Sequence, residues 1–465
     1  IFREKRSIEA TVAWVLVLTT APAIGCILYI AVGRGISKNN MFKIKEAEDK
    51  ILKENIIDTQ IKLDRNDNFE PNLIGYKDMI YALANSNNSH FTTNNDVEIF
   101  PEPNDFFESL LEELKKAKHH INIQFYIFKD DEIGNKIIDI LIDKAQNGVE
   151  VRLLYDAVGS RLFSDKSIHK LKKSGVKVGA FFPSFMKVIN FNLNYRNHRK
   201  IVVIDGNVGF IGGNNIGDEY LGKDPKFGYW RDTHLKITGD SVKDLNIRFI
   251  LDWRYTTKED LVLDKYFGNE TLRLSNSKAC KDIGIQIVSS GPDSTELDEI
   301  KYGYIKMIQK AKKYIYIQTP YFILDKTLTD TLKIACFSGV DVRIMIPSKP
   351  DHPFVYWASS SYAGELLKYG AKLYNYDHNA FLHAKTIVVD DCVCSIGTAN
   401  MDIRSFELNF EINAFMYSSE VAKKQRAIFE NDILKSKEIT LDMYNSRSRY
   451  MRLKESISRL LSPIL

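Results

Sequence analysis

The stretch "HRKIVVIDG" at residues 198–206 returns as "HAKTIVVDD" at 383–391. Around this pair further matches keep their order. "AKHHINIQFYIF" at 117–128 corresponds to "AKKYIYIQTPYF" at 311–322, "GVEVRLLYD" at 148–156 to "GVDVRIMIP" at 339–347, and "LKKSGVKV" at 171–178 to "LLKYGAKL" at 366–373. The offset stays between 185 and 195 residues, which marks a duplicated domain rather than a short solenoid unit. Apolar, β-branched runs alternate with helical patterns, so each copy reads as an α/β layer structure with helices covering a sheet. The copies are expected at 96–275 and 276–465.

In an extended strand alternate side chains share a face. His198 and Lys200 therefore project together, as do His383 and Lys385. A two-residue turn at Gly206-Asn207 would set Asn215 opposite His198, and one at Asp391-Cys392 would set Asn400 opposite His383. The small pairs Gly212-Gly213 and Gly397-Thr398 on the return strands would let a ligand approach the backbone. Asp205 and Asp390, the last members of each His-x-Lys-x4-Asp motif, lie seven residues from their histidines. That is roughly 23 Å along a strand, so they are expected to anchor the turn rather than take part in chemistry. Two lysines and two Asn amides form a cationic, donor-rich cradle for an anionic oxygen centre such as phosphate. One neutral His can attack phosphorus while the other, protonated, serves the leaving oxygen. The lysines supply the positive charge, and an ammonium beside each His would repel a cation, so no metal and no cofactor are expected. Asp232 in "YWRDTH" and Glu411 in "LNFEINA" are candidates to orient the imidazoles; which carboxylate serves which His is not legible.

The net charge of +4 over 465 residues argues against a dedicated nucleic-acid binder. Five cysteines without C-x-x-C spacing give no disulfide framework. Residues 10–32 carry no charge, and 23 residues are long enough to cross a bilayer, with Trp14 and Tyr29 near the two ends. A transmembrane helix is expected there, followed by a spacer over 33–95 that holds a helix near 43–63. Basic residues after the span (Arg34, Lys38, Lys43, Lys45, Lys50) favour a cell-membrane protein with cytoplasmic catalytic domains. The aromatic run at 181–195 reads as an acyl entrance or a buried loop. The basic tail "RSRYMRLKESISRLL" reads either as a membrane-surface helix or as an ordinary terminal helix.

These motifs resemble the phospholipase D superfamily. "YDAVGS", "NYRNHRKIVVIDG", "IGGNNIGDEY", "VYWASSSYAGELL", "SIGTANMDIRSFELNFEINAF" and the terminal "SRLLSPIL" are similar to bacterial cardiolipin synthases. The resemblance covers nearly the whole chain. It implies two phospholipase-D-like domains with the active site at their interface. It also implies transfer of a phosphatidyl group between two phosphatidylglycerol molecules through a phosphohistidine, giving cardiolipin and glycerol, with His198 as nucleophile and His383 as general acid. Alternatives are a hydrolytic phospholipase D, another phospholipid-forming phosphatidyltransferase, a nuclease, or a non-enzymatic membrane scaffold.

Overall fold

The computed structural model describes residues 8–29, 71–183, 195–266, 282–292 and 298–462. The helix expected at 43–63, the central part of the aromatic run at 181–195 and the expected boundary at 275/276 lie outside the described residues.

The duplication is visible as one strand order used twice. The first sheet runs Asn95–Phe100, His234–Gly239, Val208–Gly212, Ile201–Ile204, His120–Phe125, Glu150–Asp156, Lys177–Phe181. The second repeats it as Gly284–Ser290, Asn409–Tyr417, Val393–Gly397, Thr386–Val389, Tyr314–Gln318, Asp341–Ile346, Lys372–Asn375, and adds edge strands at both ends. In each sheet the last three strands are parallel and the motif hairpin is antiparallel. The inward faces contribute Ile201, Ile211 and Leu235 from the first sheet and Ile287, Ile396 and Ile412 from the second to one continuous core. Helices Val242–Thr257, through Phe249 and Trp253, and Ser419–Leu434, through Phe429, pack into the same core.

Three expectations change. The described part of the apolar stretch 10–32 is not one helix: it divides into helices Ile8–Thr20 and Pro22–Leu28. Ala21 leaves helical geometry (φ −138°, ψ 71°) immediately before Pro22, whose ring restricts the residue ahead of it. Thr19 and Thr20 turn their hydroxyls back onto the carbonyls of Val15 and Leu16. Trp14 and Tyr29, expected at opposite ends, meet edge to face with ring centroids 5.2 Å apart. No helix among the described residues is long and apolar enough to cross a membrane.

Second, part of the spacer over 33–95 belongs to the second sheet. Strand Phe91–Thr92 pairs with Gly284–Ser290, and Met79, Ile80 and Leu83 join a core with Tyr304 and Met307. Third, both hairpins turn one residue earlier than expected. Asp205 (φ 54°) and Gly206 (φ 68°) form one turn, and Asp390 (φ 54°) and Asp391 (φ 57°) form the other. Asn207 N–H then bonds Ile204 O at 3.0 Å, and Cys392 N–H bonds Val389 O at 3.0 Å. A left-handed aspartate is tolerable here because its carboxylate is spent on the backbone. Asp205 accepts N–H bonds from Lys118, His119 and His120 at 2.8–2.9 Å. Asp390 accepts them from Lys312, Lys313 and Tyr314 at 2.6–2.9 Å. Each motif aspartate thus ties the hairpin tip to the start of the neighbouring strand.

Candidate active site

The segment leading into each histidine pairs with the strand that carries the other half's carboxylate. Arg196–Asn197 runs parallel to Asn409–Phe410, and His198 N–H donates to Phe410 O at 2.9 Å. Ala380–Leu382 runs parallel to Tyr229–Arg231, and His383 N–H donates to Arg231 O at 2.7 Å. The outcome is a crossed pair of dyads. His198 Nδ1 lies 3.0 and 2.9 Å from the two oxygens of Glu411, while His383 Nδ1 lies 2.7 Å from Asp232 Oδ2.

Both imidazoles are 8% exposed, and both carboxylates are fully buried. Burial pushes each histidine down to about 4 against the pull of its carboxylate, and lysines of both halves push the same way. Burial works against ionisation of the carboxyls as well, but Lys385 and His383 hold Asp232 below its ordinary range. His198 and Lys200 do the same for Glu411. An ionised carboxylate beside a neutral imidazole assigns the proton to Nδ1 and leaves the Nε2 lone pair available.

Lys200 Nζ donates to His198 O at 2.7 Å and stands 5.4 Å from the ring of Tyr126. Lys385 Nζ donates to His383 O and lies 2.8 Å from His383 Nδ1. That nitrogen gives its proton to Asp232, and Lys385 sets a cation beside it. Burial lowers Lys200 to about 7 and Lys385 to about 8, with Glu411 (for Lys200) and Asp232 (for Lys385) opposing. His198 senses Lys385 and His383 senses Lys200, so both motifs converge on one charged centre.

The two asparagines stand differently from the expectation. With the ladders shifted by one residue and ending at Ile201↔Ile211 and Thr386↔Ile396, neither Asn lies on a ladder opposite its His. Asn215 accepts from Ile127 N–H at 3.0 Å and donates to Tyr220 Oη at 3.1 Å, so its amide is largely committed to the protein. Asn400 is buried, and its N–H donates to Ser405 Oγ at 3.2 Å. The small pairs serve the protein's own groups. A Cβ on Gly213 would meet Asp232 Oδ1 at 1.9 Å, and one on Gly212 would meet His234 Cα at 2.5 Å. At the position matching Gly213, Thr398 donates to Glu411 Oε2 at 2.6 Å.

Sequence reasoning missed a buried Arg–Asp brace behind each dyad. Arg199 Nη1 grips Asp252 at 2.7 and 2.9 Å while its Nε donates to Glu411 O at 3.0 Å. Arg231 Nε grips Asp432 at 3.2 and 3.0 Å while its Nη1 donates to Asp232 O. Gln124 and Gln318, matching residues of "INIQ" and "IYIQ", donate to the same two aspartates at 2.8 and 2.7 Å. Aromatic neighbours were missed too: Tyr126 is 5.0 Å from His198, and Trp230 is 5.1 Å from His383. The matched glutamines were the available signal.

Comparison with known proteins agrees with this geometry. The family described as "Cardiolipin synthase, PLD-like domain" matches residues 110–225 and 304–433, and "Phospholipase_D-nuclease N-terminal" matches 1–34. The cardiolipin synthase of Oceanobacillus iheyensis is 48% identical over 468 residues, covering 100% of this chain and 95% of that protein. The major cardiolipin synthase ClsA of Bacillus subtilis strain 168 is 49% identical over 469 residues, with the same coverage. Among solved structures, the phosphatidylserine synthase of Haemophilus influenzae Rd KW20 shares the fold, with a TM-score of 0.63 at 17% identity over 84% of this chain and 100% of that one. Fold and crossed half-sites together define a duplicated phospholipase-D-like protein. At nearly half identity over its full length, the chain belongs to the cardiolipin synthase family with PLD-like domains.

Proposed function

We propose that the chain makes cardiolipin from two phosphatidylglycerol molecules without a cofactor. The observation that carries this reading is one buried centre holding two imidazoles, each with a carboxylate on Nδ1, and two lysines. In the first step His198 Nε2 attacks phosphorus, the P–O bond to glycerol breaks, and a proton from His383 goes to the departing oxygen. In the second step the hydroxyl of another phosphatidylglycerol gives its proton to His383 and attacks phosphorus, and the P–N bond breaks. Lys200 and Lys385 balance the charge on the equatorial oxygens. The division of labour is supported by the contacts. Glu411 holds His198 with both oxygens and raises its basicity, whereas Lys385 beside His383 makes that imidazolium the readier donor. A substrate phosphodiester would raise both histidine pKa values, letting His383 carry its proton near neutrality.

Membrane contact is assigned to the helix Arg449–Leu461. Tyr450, Leu453, Ile457 and Leu460 line one exposed stripe at helical spacing, 45–69% exposed, flanked by Arg449, Arg452 and Arg459. Such a face suits an anionic bilayer. The split apolar helices near the N-terminus, with Val12 and Leu16 exposed, offer a second attachment. The basic excess after them favours a cytoplasmic site at the cell membrane.

The test is product analysis with the purified full chain in phosphatidylglycerol vesicles. Cardiolipin and glycerol in equal amounts are expected. Phosphatidate without cardiolipin would favour the hydrolytic alternative.

A further inference from the structure

In both steps of the proposed reaction the alcohol is on the His383 side. Glycerol leaves with the proton of His383, and the acceptor hydroxyl enters by returning one. Each glycerol unit has at least one further hydroxyl, which none of the groups described so far engages. A partner for it belongs beside His383 and needs no counterpart beside His198.

Strand Tyr314–Gln318 runs antiparallel to the strand that follows Lys385, with Gln318 opposite Thr386. Continued past its end, that register brings Tyr321 level with His383. The first half bears the continuation out: its register sets Ile127 level with His198, and the ring of Tyr126 stands 5.0 Å from that imidazole. The backbone of Tyr321 is tied to the site. Its carbonyl accepts from Thr319 Oγ1 at 2.8 Å, and that hydroxyl oxygen accepts the N–H of Met401, the residue after Asn400, at 3.1 Å. The next two residues, Phe322–Ile323, pair in parallel with Met401–Asp402.

The Tyr321 hydroxyl donates to Asp351 Oδ2. Asp351 lies between strand Asp341–Ile346 and helix Pro353–Leu366. That segment is held by Tyr356 Oη, which donates to Ser348 O at 3.1 Å, and by Ser348 Oγ, which donates to Asp377 O at 3.2 Å. The Asp351 carboxylate is half-buried. Its Oδ1 accepts the N–H of the next residue, His352, at 2.6 Å, and among the described residues no cation pairs with it. Lone pairs on both oxygens are thus left for a ligand. The feature belongs to one half. Ile127 stands where the second copy has Tyr321. The offset between the copies widens here from 191 residues (148 to 339) to 195 (171 to 366), so the stretch carrying Asp351 is longer than its counterpart.

We propose that Asp351, oriented by Tyr321, accepts a hydrogen bond from a free hydroxyl of the glycerol unit beside His383 and so selects a polyol over a simple alcohol. A carboxylate makes charge-assisted bonds to hydroxyls. A site built to bond a substrate hydroxyl discriminates against the analogue that lacks it. The inference rests on the phosphatidyl-transfer reading above.

The experiment sets two three-carbon acceptors against each other in one tube. Full-length protein in mixed micelles of phosphatidylglycerol receives labelled glycerol and labelled 1-propanol. The ratio of the two labelled lipids does not depend on how much protein is folded. Wild-type protein is expected to favour glycerol. Asp351→Ala should lower the glycerol-to-propanol ratio by ~10-fold or more and Tyr321→Phe by less, with Asp351→Asn keeping part of the preference. An unchanged ratio in Asp351→Ala would overturn the assignment, as would parallel loss of both products with the ratio kept, or a wild type without preference. Wild-type protein that transfers to neither acceptor would instead overturn phosphatidyl transfer itself.

Discussion

The two half-sites carry the same His-x-Lys pair on the same strand order, yet they hold the carboxylates that face the imidazoles by different means. Around His198 the carboxylate is a glutamate fastened by Thr398 at 2.6 Å and by Asn409 at 3.3 Å. Around His383 it is an aspartate over a glycine that leaves no room for a side chain, bonded to Thr233 N–H at 2.7 Å. The braces differ in the same spirit. One guanidinium comes from the residue after His198, the other from the residue before Asp232, and both end on an aspartate of the inward-packed helix. The difference shows that what the duplication preserved is the position of charge around each imidazole, while the residue supplying it was free to move.

That comparison can be broken at several levels. The largest effect is expected at the histidines. His198→Ala should lower cardiolipin formation by about 10^4-fold or more and abolish covalent labelling by phosphatidyl donors. His383→Ala should still label when the leaving group is good. Label on His383 alone would reverse the assigned roles. Next come the braces. Arg231→Met strands the buried Asp432 and should cost about 3–5 kcal/mol of stability, read by denaturant unfolding, and Arg199→Met should cost less because Arg248 still pairs with Asp252 at 2.9 Å. Arg231→Met/Asp432→Leu should recover much of that loss, and failure to recover would mean the bond to Asp232 O matters more than the ion pair.

Third, the crossed carboxylates should separate the two steps. Glu411→Gln is expected to slow phosphoenzyme formation by about 10^2–10^3-fold for any leaving group, and Asp232→Asn only for poor ones. Equal behaviour would erase the functional distinction between the halves. Gly213→Ala, which collides with Asp232, should exceed the effect of Thr398→Val, about tenfold, because the latter removes a single hydrogen bond. The smallest effect concerns pH. Lys200 and Lys385 lose their protons as pH rises through about 7 and about 8. An oxyanion of fixed charge such as tungstate should therefore bind more weakly from pH 6 to 9, by at most about tenfold per unit for each lysine. Lys200→Met should flatten the lower part of that curve.

The duplicated α/β layers and the pairing of His with Lys were legible, because period-two patterning and an ordered repeat survive in a single sequence. The role of Asp205 and Asp390 in anchoring the turn followed from strand length alone. The turn itself came out one residue off, since left-handed aspartates are stabilised by N–H groups at the start of a strand 76 to 87 residues away in sequence. The crossing of Glu411 to His198 was not legible either: it depends on parallel pairing between segments more than two hundred residues apart. The break at Ala21 was signalled by Pro22, a signal that a hydropathy count over residues 10–32 overrides.

The crossed dyads also bear on the life of the chain before it is finished. As synthesis proceeds, His198 leaves the ribosome 213 residues ahead of its carboxylate, and His383 emerges after Asp232 has waited for 151. A nascent first half carries an imidazole whose carboxylate has yet to be made. Translation thus acts as a timer on the chemistry: phospholipid turnover begins only once residue 411 has joined the sheet, and a truncated product is inert by construction.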